Sequence, residues 1–100
     1  MAVLMLCIYR IKQGKEAAFR KLARAHWPTL RKMGLATRRR AQLYQGTCKK
    51  DASPSFVEIF EWKSPAASDR AHRTPEVMAI WGPMMPLLKE MELIRLRPVR

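Results

Sequence analysis

Phe56-Val57-Glu58-Ile59-Phe60-Glu61-Trp62 is the stretch that decides how this chain folds. It is rich in aromatic and β-branched residues and precedes Ser64-Pro65, so it reads as a β-strand. Alternation puts Phe56, Glu58, Phe60 and Trp62 on one face and Val57 and Ile59 on the other. Neither face is purely polar, so both need covering. The opening run Ala2-Val3-Leu4-Met5-Leu6-Cys7-Ile8-Tyr9 is of the same kind: apolar, without alternation, with Gly14 marking the turn behind it.

Between these strands, Lys15 to Met33 carries Phe19, Leu22, Ala23, His26, Leu30 and Met33 at spacings of three and four, the stripe of an amphipathic helix. Gly34 suits the left-handed position after it, with Leu35 folding back on Leu30. Pro28 inside the helix implies a kink or a restart. Leu35 to Gln45 alternates and is expected as a strand with one apolar face, on which Arg39 is an inward cation in need of a carboxylate, from a ligand or from Glu58. Gly46 to Ser55 is expected as a loop. Beyond Trp62, Ser64-Pro65 opens a short helix and Thr74-Pro75-Glu76 a second. The second helix carries Val77, Ile80, Trp81, Met84 and Leu88 and bends near Gly82-Pro83 and Pro86. Met91 to Val99 closes the chain as a last strand.

The order β-α-β-β-α-β is ferredoxin-like: an α+β fold in one domain, residues 1–100, with a four-stranded antiparallel sheet and helices on one face. The helices leave the other face bare, although the first and third strands are apolar on both sides. A second copy of the chain, in a two-fold homodimer through that sheet face, is the expected cover.

Composition narrows the rest. The 48% hydrophobic and 28% charged balance excludes a disordered chain. Net charge is +12, all of it from residues 1–50, where 13 Lys and Arg meet one acid, Glu16. A solvated helix face and a protected edge strand account for most of this, with an anionic partner as the alternative. Cys7 and Cys48 are too few for a disulfide scaffold, and Cys7 falls in an apolar run, which points to a reducing, cytoplasmic setting. The first eleven residues are too short to span a bilayer and lack the marks of a secretory leader, so no membrane partner is expected.

The apolar first strand with Ile11-Lys12-Gln13-Gly14-Lys15-Glu16 carries a resemblance, together with His26-Trp27-Pro28, Gly34-Leu35, Phe56 to Lys63, and Thr74-Pro75-Glu76-Val77 through Trp81. It is to the dimeric α/β-barrel superfamily, antibiotic-biosynthesis-monooxygenase-like. The resemblance spans nearly the whole chain and implies a homodimer with a pocket in each subunit between sheet and helices. Members include cofactor-independent oxygenases, haem-degrading enzymes and decarboxylases. The haem-degrading members use an Asn on the first strand with a Trp and a His on the second helical segment. Here the first strand offers Cys7 and Tyr9 and no Asn, so that activity is not carried over.

His26 is the first candidate for chemistry. It lies on the helix stripe and points at the sheet, where an imidazole titrating near pH ~6.5 can serve as general base or substrate anchor. A buried histidine bonded to a carbonyl or a tyrosine is the plainer reading. His72, Trp81, Tyr44 and Arg39 are the candidate ligand-binding residues, Trp81 as the wall for a flat ligand, while Trp62 better suits the dimer interface. No phosphate-cradling glycine loop, paired-cysteine motif or metal-spaced histidine cluster is present, so neither metal nor cofactor is called for. These residues support a homodimeric pocket protein for a small apolar or anionic ligand, an oxygenase or isomerase acting on an aromatic or polyketide-like compound. A non-catalytic interaction module is the alternative. RNA-recognition domains share the element order, but Glu58 and Glu61 oppose phosphate binding on the sheet, and nucleic acid is disfavoured.

Overall fold

A computed structural model describes residues 1–100. The elements are β1 (Val3–Ile11), α1 (Glu16–Lys32), β2 (Gln42–Thr47), β3 (Pro54–Trp62), α2 (Ala67–Ala71), α3 (Pro75–Met84) and β4 (Leu88–Leu96), with one turn of 3-10 helix at Met85–Leu87. The four strands form one antiparallel sheet in the order β2-β3-β1-β4, the ferredoxin-like α+β arrangement. Helices lie on one side of it. The molecule is only 19 Å through its thin dimension, as two layers require.

The registers sort the side chains by face. Cys7 pairs with Glu58 and Leu93, and Met5 with Phe60 and Arg95, so these residues and Tyr9 share the helix side. There Tyr9, Ile11, Phe56 and Phe60 are buried against Phe19, Leu30 and Val77. The opposite phase, Leu4, Leu6 and Ile8 of β1 with Val57 and Ile59 of β3, is only half-buried. On the same side, Ile94 and Tyr44 are 38% and 56% exposed. The uncovered sheet face is therefore apolar across all four strands.

The end of α1 follows its sequence. Gly34 takes φ +73°, Leu35 N–H donates to the Leu30 carbonyl at 2.9 Å and Gly34 N–H to that of Arg31 at 3.1 Å. This pair of bonds turns the chain back and buries Leu30 and Leu35 together. No restart occurs at Pro28: α1 runs through it without interruption. Pro28 is exposed, so water can serve the carbonyl that the missing N–H leaves free.

The segment Leu35 to Gln45 departs from the single strand its alternation predicts. Ala36 bridges Trp62 and Gln42 pairs with Ile59, six steps along one chain against three along the other. The surplus loops out at Arg38–Ala41, and β2 begins only at Gln42 and continues through Gly46 to Thr47. Three consecutive arginines do not suit a ladder with one buried face, and extruding them keeps their charges in water. β4 likewise starts at Leu88, earlier than its hydropathy indicates, because the Met85–Leu87 turn absorbs Pro86. No helix of the molecule is long and apolar enough to cross a membrane.

Candidate active site

Glu58 is buried to 1% exposure because the alternation of β3 places it between Phe56 and Phe60 on the helix side. A carboxylate taken out of water needs donors, and two reach its Oε1. Tyr9, from the neighbouring β1, donates its hydroxyl at 2.8 Å. His26, from the inward stripe of α1, approaches through Nδ1 at 2.8 Å. Trp81 of α3 completes the chain: its indole Nε1–H donates to His26 Nε2 at 2.8 Å. An indole nitrogen can only donate, so Nε2 accepts, Nδ1 carries the proton, and the imidazole is neutral with its proton directed at Glu58. Four residues from β1, α1, β3 and α3 thus form one connected network.

Beside it lies a hollow of about 370 Å³ between the sheet and α2–α3. Its floor includes Met5, Cys7, Tyr9, Phe60 and Trp62 from β1 and β3, with Leu88, Met91 and Leu93 from β4. His26, His72, Trp81 and Met84 close it from the helices. Five of the seven methionines of the chain line this space, unbranched and polarisable side chains that adapt to a ligand's outline. The aromatic rings are mutually braced. His26 meets Phe60 edge-on at 5.5 Å, Trp62 meets Trp81 at 90° and 6.5 Å, and His72 packs against Trp81 at 4.9 Å.

Local electrostatics keep the floor protonated. Burial, reinforced by the Glu58 charge, pushes the Cys7 thiol up from 9.0 to about 12. The same two causes raise the Tyr9 phenol well above its ordinary 10.0. Cys7 is therefore a packed thiol rather than a nucleophile at neutral pH, and Tyr9 is a donor to Glu58 rather than a base.

Of the residues singled out from sequence, the structure brings His26, His72 and Trp81 together around the hollow. His72 also closes α2, its Nδ1 donating to the Ser68 carbonyl at 2.9 Å. Tyr44 and Arg39 stand elsewhere. Tyr44 pairs with Val57 in β2 and so points to the uncovered sheet face, on the far side from the hollow. Arg39 belongs to the outward loop, its side chain 60% exposed and 3.8 Å from Glu61. Its expected inward position fails because the strand it needed is interrupted there, and Glu58 takes its donors from Tyr9 and His26 instead. Trp62 is 6% exposed on the helix side and lines the hollow rather than the uncovered face assigned to it from sequence. Glu58 and Tyr9 are the members of the network that the sequence reading did not place in the site. The available signal was an acid in phase with Phe56, Phe60 and Trp62, which had to find buried donors.

No protein-family model matches the sequence, and no curated protein matches it. Solved structures do, over the whole chain. A crystal structure described as an antibiotic biosynthesis monooxygenase is 20% identical, covers 100% of both chains and superposes with a TM-score of 0.74. SnoaB, a cofactor-independent oxygenase from Streptomyces nogalater, is 19% identical over 98% of this chain and 95% of its own, with a TM-score of 0.71. A NIPSNAP family protein from Agrobacterium tumefaciens is 15% identical over 99% and 94%, with a TM-score of 0.69. The chain has the fold of the antibiotic biosynthesis monooxygenase proteins. A fold of this kind hosts several chemistries, so function rests on the site.

Proposed function

We propose that this chain is a homodimeric, cofactor-independent monooxygenase-like enzyme acting on an aromatic or polyketide-like compound held beside His26. The observation that carries this reading is the arrangement Glu58–His26 at the wall of an apolar hollow. A carboxylate fixes the imidazole tautomer so that the basic nitrogen is Nε2, on a ring that lines the ligand space and accepts there from the Trp81 indole. Apolar walls favour a flat, apolar substrate and strengthen every polar contact made inside. Proton abstraction by Nε2 from an activated CH2 group gives a carbanion that supplies electrons to dioxygen. One oxygen atom stays as the new carbonyl, the other leaves as water with the two hydrogens, and no external reductant is needed. Returning the proton to another carbon without dioxygen is the isomerase variant of the same chemistry.

The test is oxygen uptake with anthrone, whose CH2 is acidified by its flanking rings. His26→Ala abolishes uptake and leaves the assembly intact; uptake unchanged in that variant overturns the role of His26. Substrate consumed without oxygen uptake selects the isomerase. A binding module without turnover is the second reading, favoured by the occupied state of Nε2, and it predicts anthrone binding with no consumption.

The uncovered apolar face of the sheet supports the homodimer. Sedimentation at micromolar concentration is expected to give twice the 11.6 kDa of one chain, and a single-chain species alone overturns it. A cytoplasmic, reducing setting accords with both cysteines being free.

A further inference from the structure

A second, smaller hollow of about 250 Å³ adjoins the first and shares Met5, Trp62, Ser68 and Leu93 with it. What it adds is charge. Arg95 stands on β4 opposite Met5, two residues beyond Leu93, on the helix side of the sheet. Its guanidinium enters neither of the arginine–carboxylate ion pairs of the molecule, which join Arg10 to Glu90 and Arg39 to Glu61. No aspartate or glutamate lines either hollow, so nothing within them competes for it.

We propose that Arg95 is the anchor for a carboxylate, and that the ligand of the joined hollows is an amphipathic aromatic acid, its flat apolar body beside His26 and its charged end at β4. The inference rests on the small-molecule reading of the main hollow. A guanidinium stays charged at any working pH and presents a planar fork that matches a carboxylate. Net charge +12 draws anions towards the molecule but does not select where they dock; an unpaired cation at the mouth of an apolar space does.

Register gives the scale of such a ligand. Phe60, Met5 and Arg95 lie in line across β3, β1 and β4. Two strand spacings therefore separate Phe60 from Arg95, about 10 Å, and the His26 ring is 5.5 Å from that of Phe60. Two fused rings with substituents at opposite ends match the scale of that spacing.

The experiment compares 6-hydroxy-2-naphthoate with 2-naphthol by calorimetric titration at pH 7.5, where the two share a ring system and differ by one negative charge. The wild-type protein is expected to bind the acid about tenfold more tightly, the scale of a charge-assisted hydrogen bond at a partly open site. Arg95→Gln removes that preference and leaves 2-naphthol binding unchanged. Arg97→Gln, which removes the same charge just beyond β4, keeps it. A wild-type protein with no preference for the acid, or two variants that behave alike, overturns the role of Arg95 while the main hollow still binds naphthol. Failure of both probes to bind overturns the reading of the hollow and this inference with it.

Discussion

Trp81 Nε1 donates a 2.8 Å hydrogen bond to His26 Nε2, so the nitrogen on which base chemistry depends already has a partner. A neutral hydrogen bond of this kind contributes about 1 kcal/mol net, which a ligand bringing its own donor can match. Trp81 then has to swing aside. Its ring is held by that bond, by the rings of His26, His72 and Trp62, and by packing on the edge of the core.

Trp81→Phe keeps most of the ring and deletes the donor. Diethyl pyrocarbonate acylates an imidazole nitrogen only where the lone pair is free. The variant is expected to react at His26 several-fold faster than wild type, read by peptide mass spectrometry. His72, exposed but packed against Trp81, is followed alongside, and a surface peptide of the same digest normalises the yields. Equal rates at His26 in the two proteins mean that Trp81 does not restrain it.

Glu58→Gln tests the other side of the imidazole. The amide oxygen can still accept from Tyr9 O–H and His26 Nδ1–H, but it is neutral and holds them less strongly, and its NH2 group brings two donors into a place that is 1% exposed. Loss of the fixed tautomer should reduce turnover about 100-fold or more. Leaving buried polar atoms unmatched should cost about 1–3 kcal/mol of stability. Oxygen uptake and urea unfolding read the two effects separately.

The raised ionisations of Cys7 and Tyr9 predict weakness in alkali. In the unfolded chain Cys7 ionises near 9.0 and Tyr9 near 10.0, while in the folded protein both stay protonated further up, Cys7 to about 12. The unfolded state therefore binds fewer protons above pH 9. Folding stability is intact below that point and is lost as pH rises, with a slope of about 1.4 kcal/mol per pH unit for each such group. Cys7→Ala should flatten the loss between pH 9 and 12 in urea titrations, and an unchanged slope contradicts the burial of the thiol as its cause.

Gly34→Ala tests the turn after α1. A Cβ there meets nothing within 4 Å, so the penalty is purely conformational, from φ +73°. It is expected at about 1 kcal/mol, seen as a lower urea midpoint with an unchanged slope.

Periodicity made β1, β3 and α1 legible, and the Gly34-Leu35 turn with them, because each depends on neighbours within a few residues. The displaced start of β2 was not, since alternation continues through Arg38–Arg40 and only the cost of burying charge reveals that the ladder breaks there. The site was half legible. His26 and Trp81 could be placed on inward stripes of their helices, and Glu58 on the apolar phase of its strand. Yet the contacts that join them span 32 positions for His26–Glu58, 49 for Tyr9–Glu58 and 55 for Trp81–His26. Such pairings are set by how the sheet and helices stack, and no local pattern carries them. Arg39 was misplaced because the ladder it needed is interrupted at Arg38–Ala41, whereas Tyr44 was chosen for its ring although alternation sets it in the opposite phase from Leu43, which is where the structure has it.

A wall built from methionine ages. Met5, Met78, Met84, Met85 and Met91 all border the hollow, the space into which the proposed reaction would draw dioxygen. Each thioether converted to sulfoxide becomes polar and chiral, and the lining loses the softness that lets it mould to a guest. Oxidative decline is therefore expected to begin at the ligand space, before the tightly packed core beneath α1 is affected.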